Sequence, residues 1–370
     1  MPTQATTNCF CTRFLVNQGL AAKAGKDMRK AGQAREAISF LTVCRTLAPN
    51  DIKTVTEIGH CHLVLGEFEA ARKHFALSLE IDQTNIVALN SMGKSFAEEK
   101  KYITARQWYA RSLATSPKDV SAEELVKLRA NTYLAIGNSY LQERNNHLAR
   151  DNYLIANGLS PREPEIMVSV AETYFYDKAL FEAEGWAGEV LAIDPLFPKA
   201  LEVMGLVRLS QKRPAEAAEY FGKIVTNYPR KGRPYELLAT AQIFMGRLDE
   251  ALATLATELA AHPNRSDGRI LQAKIHYLQG QPKECLDALL EALKQKISRQ
   301  ALMLLHILSV DAFWGFVEIF PREFTRKESA LIDDVADQMR RKDYNLDRFL
   351  CRSPENDFEP TSLARLNQFD

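Results

Sequence analysis

A proline returns every 34 residues at Pro161, Pro195, Pro229 and Pro263. Ala149, Ala183, Ala217 and Ala251 keep the same step, as do Gly137, Ala171, Gly205 and Ala239. Three residue types sharing one period define a repeated unit. A unit of this length is one helical hairpin, which buries its apolar face only by stacking on its neighbours. The chain is therefore expected to be all-α and to grow as a solenoid. Such arrays serve as extended binding surfaces more often than as enzymes.

With the proline at position 32, eight units fit: 18–51, 52–85, 86–119, 130–163, 164–197, 198–231, 232–265 and 266–299. Position 8 is small in all of them, from Gly25 and Gly59 to Ala273. Position 20 is alanine from Ala37 to Ala251 and Cys285 in the last. Small residues at these two places let the helices of a hairpin approach closely. Position 24 is bulky (Leu41, Phe75, Tyr109, Tyr153, Phe221, Leu255, Leu289), except for Ala187, and is expected to fill the gap between neighbouring hairpins. Position 15, between the helices, is glycine in four units (Gly32, Gly66, Gly246, Gly280), where a tight turn favours it. The proline ends the second helix, because it lacks an N–H and clashes with the preceding turn.

This pattern of small 8, small 20, aromatic 24, small 27 and proline 32 resembles the tetratricopeptide repeat family, over residues 18–299. Position 4 departs from the family's tryptophan, with Tyr133, Leu201 and Tyr235 in its place. The resemblance implies a right-handed α-solenoid of about eight hairpins. It also implies that the first helix of each unit lines a concave groove.

Composition narrows the function. Lys and Arg total 47, as do Asp and Glu, so the chain has no electrostatic footprint of a phosphate-binding protein and no nucleic-acid partner is expected. Cys9, Cys11, Cys44, Cys61, Cys285 and Cys351 form no CxxC pair or disulfide framework, which suits reduced thiols and a cytoplasmic location. No signal peptide or membrane span is expected.

Two regions depart from the rule. Between Asp119 and Ala130 the period slips by ten residues. Ser121–Glu124 reads as a capping box, so the insertion at 120–129 is expected to extend the first helix of unit four at its N-terminal end. Beyond the array, the apolar run with Phe313, Trp314, Phe316 and Phe320 is expected to belong to a C-terminal helical cap over 300–344 that covers the last hydrophobic face. Residues 345–370 read as a loosely ordered tail, and 1–17 as a leading segment or cap helix.

In the family's register, positions 2, 5, 9 and 12 of the first helix face the groove, spaced to share one side. They nominate Lys26, Arg29, Lys53, His60, Asn90, Lys94, Asn131, Leu134 and Asn138 as a basic, polar half. Glu172, Phe175, Glu202, Leu206, Leu209 and Tyr277 make an apolar half with an acidic edge. Such a groove suits a peptide or helix of a protein partner, acidic at one end and apolar at the other. The lysine and asparagine clamp by which some members of the family hold a chaperone's C-terminal carboxylate is absent, since Val168 and Glu172 stand where cations are needed.

Catalytic and cofactor chemistry finds no support. His60-Cys61-His62 is the densest cluster of metal-type residues, yet adjacent residues on a helix do not share a face. No phosphate loop, dinucleotide fingerprint, zinc-protease motif or nucleophile elbow occurs. Glu98-Glu99 reads as a solvated face. The expected function is a scaffold or adaptor within a larger assembly, without enzyme activity, cofactor or metal. The alternatives are a secretion-type chaperone, which His60–Gly66 faintly resembles, and a regulatory sensor governed by the C-terminal region.

Overall fold

The turn residue at position 15 sets the hairpins. In the computed structural model, which describes residues 20–117 and 120–295, Gly32, Gly66, Gly246 and Gly280 all have positive φ. So do Lys100, Arg144, Lys178 and Lys212 at the same position of the other four units, with φ of 58° to 62°. L-residues enter this region only at a cost. They do so here because the turn closes with a hydrogen bond spanning five residues, from the N–H after the turn residue to the last turn of the helix. Glu67 N–H donates to His62 O at 2.9 Å, and Lys101 N–H to Phe96 O at 2.9 Å.

Sixteen helices follow in order among the described residues: α1 Leu20–Lys30, α2 Ala34–Leu47, α3 Ile52–Val64, α4 Phe68–Ile81, α5 Ile86–Glu98, α6 Tyr102–Ala114, α7 Ala122–Gln142 and α8 Asn146–Leu159, then α9 Pro164–Tyr176, α10 Leu180–Ile193, α11 Pro198–Ser210, α12 Pro214–Asn227, α13 Arg233–Phe244, α14 Leu248–Ala261, α15 Ser266–Leu278 and α16 Pro282–Gln295. No strand occurs among these residues. The fold is an all-α solenoid. The chain divides into two compact units between Asp177 and Lys178, in the turn joining α9 to α10. The expected leading segment, C-terminal cap and tail lie outside the described residues.

Position 24 is where the hairpin closes. Tyr153 stands over Gly137 and Phe221 over Gly205, so near that a Cβ on either glycine would fall inside 3.0 Å of the ring. The bulky side chain therefore lies first against its own hairpin. It also reaches the next: Phe75 joins Ala71 and Leu79 in one cluster with Ala88, Leu89 and Met92 of α5. Ala71, Ala105, Ala149 and Ala217 at position 20 are 0% exposed, which leaves no volume for a larger residue there.

α7 is 21 residues long, against 13 for α3, α5 and α9. The extra length amounts to about 12 Å. Ser121 Oγ accepts the Glu124 N–H at 3.2 Å and caps this end. The first turns are mostly exposed, with Val126 at 37%.

In the first unit, successive hairpins are also joined by a polar clamp. Arg72 lies 4.6 Å over the Phe96 ring and pairs with Glu99 at 3.1 Å. Arg106 lies 4.3 Å over Tyr140 and pairs with Glu143 at 2.7 Å. Arg150 lies 4.7 Å over Tyr174 and pairs with Asp177. Each arginine is position 21 of one hairpin; each ring and acid are positions 11 and 14 of the next. Glu99 is thus one member of a clamp rather than part of a solvated acidic face. Its carboxyl is held low by hydrogen bonds from Lys101 and Arg72.

Candidate functional site

The first helices of the first unit are linked side by side. Arg29 Nε on α1 donates to Glu57 Oε1 on α3 at 2.5 Å. His60 on α3 meets Ser91 on α5 through Nε2 and Oγ, 2.8 Å apart. Asn90 Nδ2 on α5 donates to Thr132 Oγ1 on α7 at 2.8 Å. These bonds, between positions 3, 5, 6, 9 and 12, tie the first helices of four consecutive hairpins together along one polar face.

The charges on this face are unequally satisfied. Glu57 is buried, and burial alone would raise its carboxyl. Hydrogen bonds from His60 and Arg29 outweigh that and hold it below the ordinary range. Arg29 and His60 are thereby engaged in the helix contact. Lys26, Lys53 and Lys94 are exposed, and none has an ion pair among the described residues. Asn131 and Asn138 are exposed as well. Asn138 is oriented: the buried Tyr153 hydroxyl must place its proton, and it donates to Asn138 Oδ1 at 2.7 Å. That leaves the amide N–H groups of Asn138 as its outward face. Leu134 is partly buried against Ala130, Ala156 and Ile166.

Three residues of the apolar half expected of the groove are buried in the core. Phe175 is 2% exposed, Leu206 5% and Leu209 6%. The reason is visible on α11, where every residue from Val203 to Leu209 is buried, Arg208 included. Such a helix is enclosed on more than one side, so a three–four spacing of apolar residues does not single out an open face. The acidic edge is partly answered from within. Glu202 pairs with Arg233 at 3.2 Å, and Glu236 accepts from Arg265 Nη2 at 2.6 Å. Glu172 is half-buried, and Tyr277 is 36% exposed.

His60, Cys61 and His62 point to different neighbours. Cys61 is fully buried and its thiol is pushed up to about 11 by burial. His62 Nδ1 lies 2.6 Å from Glu67 Oε2, and its ring stacks on His74 at 5.4 Å. Burial, then the nearby charge of His62, lowers His74 to about 4. Among the described residues no group of three His, Cys, Asp or Glu side chains could hold a metal. Sequence reasoning missed the supports of the polar face: Glu57, Ser91, Thr132 and the hydroxyl of Tyr153. Glu57 and Ser91 share position 6 and Tyr153 holds position 24, but spacing alone does not reveal that each serves a neighbour on another helix.

Comparison with known proteins agrees with this architecture. Residues 208–275 match the family model described as tetratricopeptide repeat. Over those residues the chain carries the family's repeat pattern, and the same hairpin register runs through the other described hairpins. It is 24% identical over 224 residues to the Cell division cycle protein 16 homolog of Homo sapiens, covering 58% of this chain and 34% of that protein. It is 26% identical over 230 residues to U-box domain-containing protein 70 of Oryza sativa subsp. japonica, covering 54% and 28%. The chain thus spans about a third of the length of the curated relatives it matches. Among solved structures it is similar to yeast Tom70, with TM-score 0.56 and 12% identity over 77% of this chain and 60% of that one. It is also similar to a chain in the APC/C hetero-tetramer Cut9–Hcn1, with TM-score 0.53 and 16% identity over 81% and 51%. At such identities the likeness is one of fold. No helix among the described residues is long and apolar enough to cross a membrane.

Proposed function

We propose that this protein is a non-enzymatic interaction scaffold whose first unit holds an acidic, polar segment of a partner protein. The segment runs along the face of α1, α3, α5 and α7. One observation carries the reading: Lys26, Lys53 and Lys94 stand exposed, without acidic partners among the described residues, on a face where Arg29 is already paired. Asn131 and Asn138 add uncharged donors that suit main-chain carbonyls or carboxylates. The partner differs from the one expected from sequence, since Phe175, Leu206 and Leu209, meant to receive its other end, are core. A role within a larger assembly is supported by the likeness to a chain of the APC/C hetero-tetramer. A cytoplasmic setting fits the free, buried Cys61 and Cys285.

The test is affinity purification of the full chain at native abundance, beside the Lys26→Glu and Lys94→Glu variants. A partner in stable proportion with the wild type, and depleted from both variants, is expected. Recovery of the chain alone, or of the same partner in equal yield from all three, would contradict the reading.

A further inference from the structure

The seventh hairpin encloses a carboxyl where its counterparts have none. Position 27 is Cys44, Ser78, Ser112, Ala156, Val190, Ile224 and Ala292 in the other units. Here it is Glu258, and it is 0% exposed. The charged groups that face it are Glu236 from α13, Asp267 from α15 and Arg265 from the connection between α14 and α15. Arg265 Nε lies 2.8 Å from Glu258 Oε1, while Arg265 Nη2 donates to Glu236 Oε1 at 2.6 Å. Neither oxygen of Glu258 receives a hydrogen bond, because Arg265 Nε directs its proton to Glu236 Oε1, at 3.2 Å. α15 runs so close to Glu258 Oε2 that a Cβ on Gly268 would lie 2.8 Å from it.

The charge count decides which form of Glu258 this space accommodates. With every group ionised, three carboxylates would share a single guanidinium. Two neighbouring buried carboxyls do not both ionise readily, and a buried charge without its own counter-ion is costly. We propose that the junction of α13, α14 and α15 is a proton-binding switch, closed while Glu236 and Glu258 hold one proton between them opposite Arg265, and loosened when that proton leaves. Burial, and then the charge of Glu236, pushes Glu258 up to about 8 from an ordinary 4.5. Burial raises Glu236 too, against the pull of Arg265. Between these two values the folded junction holds a proton that the unfolded chain has released. Its stability is therefore full below pH 4.5, falls as pH rises toward 8, and levels off above.

The experiment is thermal unfolding of the full chain at a series of pH values between 5 and 8. The wild-type midpoint for the second unit is expected to fall steadily across the series. The Glu258→Gln midpoint should match it at the acid end and stay above it at the alkaline end. Calorimetry in two buffers of different ionisation enthalpy should show the wild type releasing about one more proton on unfolding at an intermediate pH. Parallel midpoint profiles with equal proton release would overturn the proposal. Glu236→Gln guards against a Glu258 variant that does not fold. Without its charged neighbour Glu258 should ionise more readily, moving the sloping interval to lower pH, and an unmoved interval would equally overturn the switch.

Discussion

The two units close their hairpins in the same way and use charge in opposite ways. Tyr153 over Gly137 in the first unit is the counterpart of Phe221 over Gly205 in the second. Between hairpins the first unit repeats an arginine, an aromatic ring and an acid. In the second, the same position 21 is Glu184, which accepts two bonds from the buried Arg208 at 2.6 and 2.9 Å. Farther on, Glu258 is enclosed outright. Among the described residues the first unit keeps three lysines on its polar face without ion pairs, while Glu202 and Glu236 in the second are answered by Arg233 and Arg265. The contrast separates what the repeat fixes from what it leaves free. Small residues against large ones set the fold, and the residues outside that rule set what each unit does.

The largest effect expected is the one the units share. Phe75→Ala and Phe221→Ala should each cost about 3–5 kcal/mol, measured by urea unfolding, because both side chains are 0% exposed and leave a cavity. Unequal costs would show that the closing rule is not common to both. The pH response should then split them. His74 is lowered to about 4, so its contribution in the first unit is present above 6.5 and lost as pH falls toward 4. Glu258 works the other way in the second unit, with loss as pH rises. Each slope is limited to roughly 1.4 kcal/mol per pH unit. Hydrogen exchange, corrected for the intrinsic rate, should show α4 losing protection in acid and α14 losing it toward pH 8. Slopes of the same sign in both helices would erase the contrast.

Smaller changes refine the comparison. Ala217→Leu should overpack the second unit by about 1–3 kcal/mol, and a thermally silent result would mean that the register of the repeat is misplaced. Arg106→Ala should cost about 1 kcal/mol, since it removes a ring contact and a part-exposed ion pair together. A double-mutant cycle with Glu143→Ala would isolate the ion pair.

Much of the fold was legible because packing repeats. Gly59, Gly93, Gly137 and Gly205 mark the close approach, and the slip before Ala130 lies in the segment that holds α7. The clamp is legible too. Arg72, Arg106 and Arg150 keep the repeat register, their second interval lengthened only by the ten-residue slip. The polar face was legible in its lysines and asparagines, since exposed positions follow helical spacing. Its apolar continuation was misread, because Leu206 and Leu209 occupy groove positions on a helix enclosed on several sides. Glu258 could have been noticed as a charged residue at a small position. Its partners could not, because Arg265 and Asp267 reach it from other elements.

The most direct measurement of the central claim is binding of the full chain to an array of synthetic peptides graded from basic to acidic. The same array would be probed with a Lys26→Glu, Lys53→Glu, Lys94→Glu variant whose unfolding midpoint matches the wild type. The account predicts that the wild type prefers the acidic peptides, that added salt weakens the preference, and that the variant loses it. An acidic preference that survives in the variant, or a wild type indifferent to peptide charge, would contradict it.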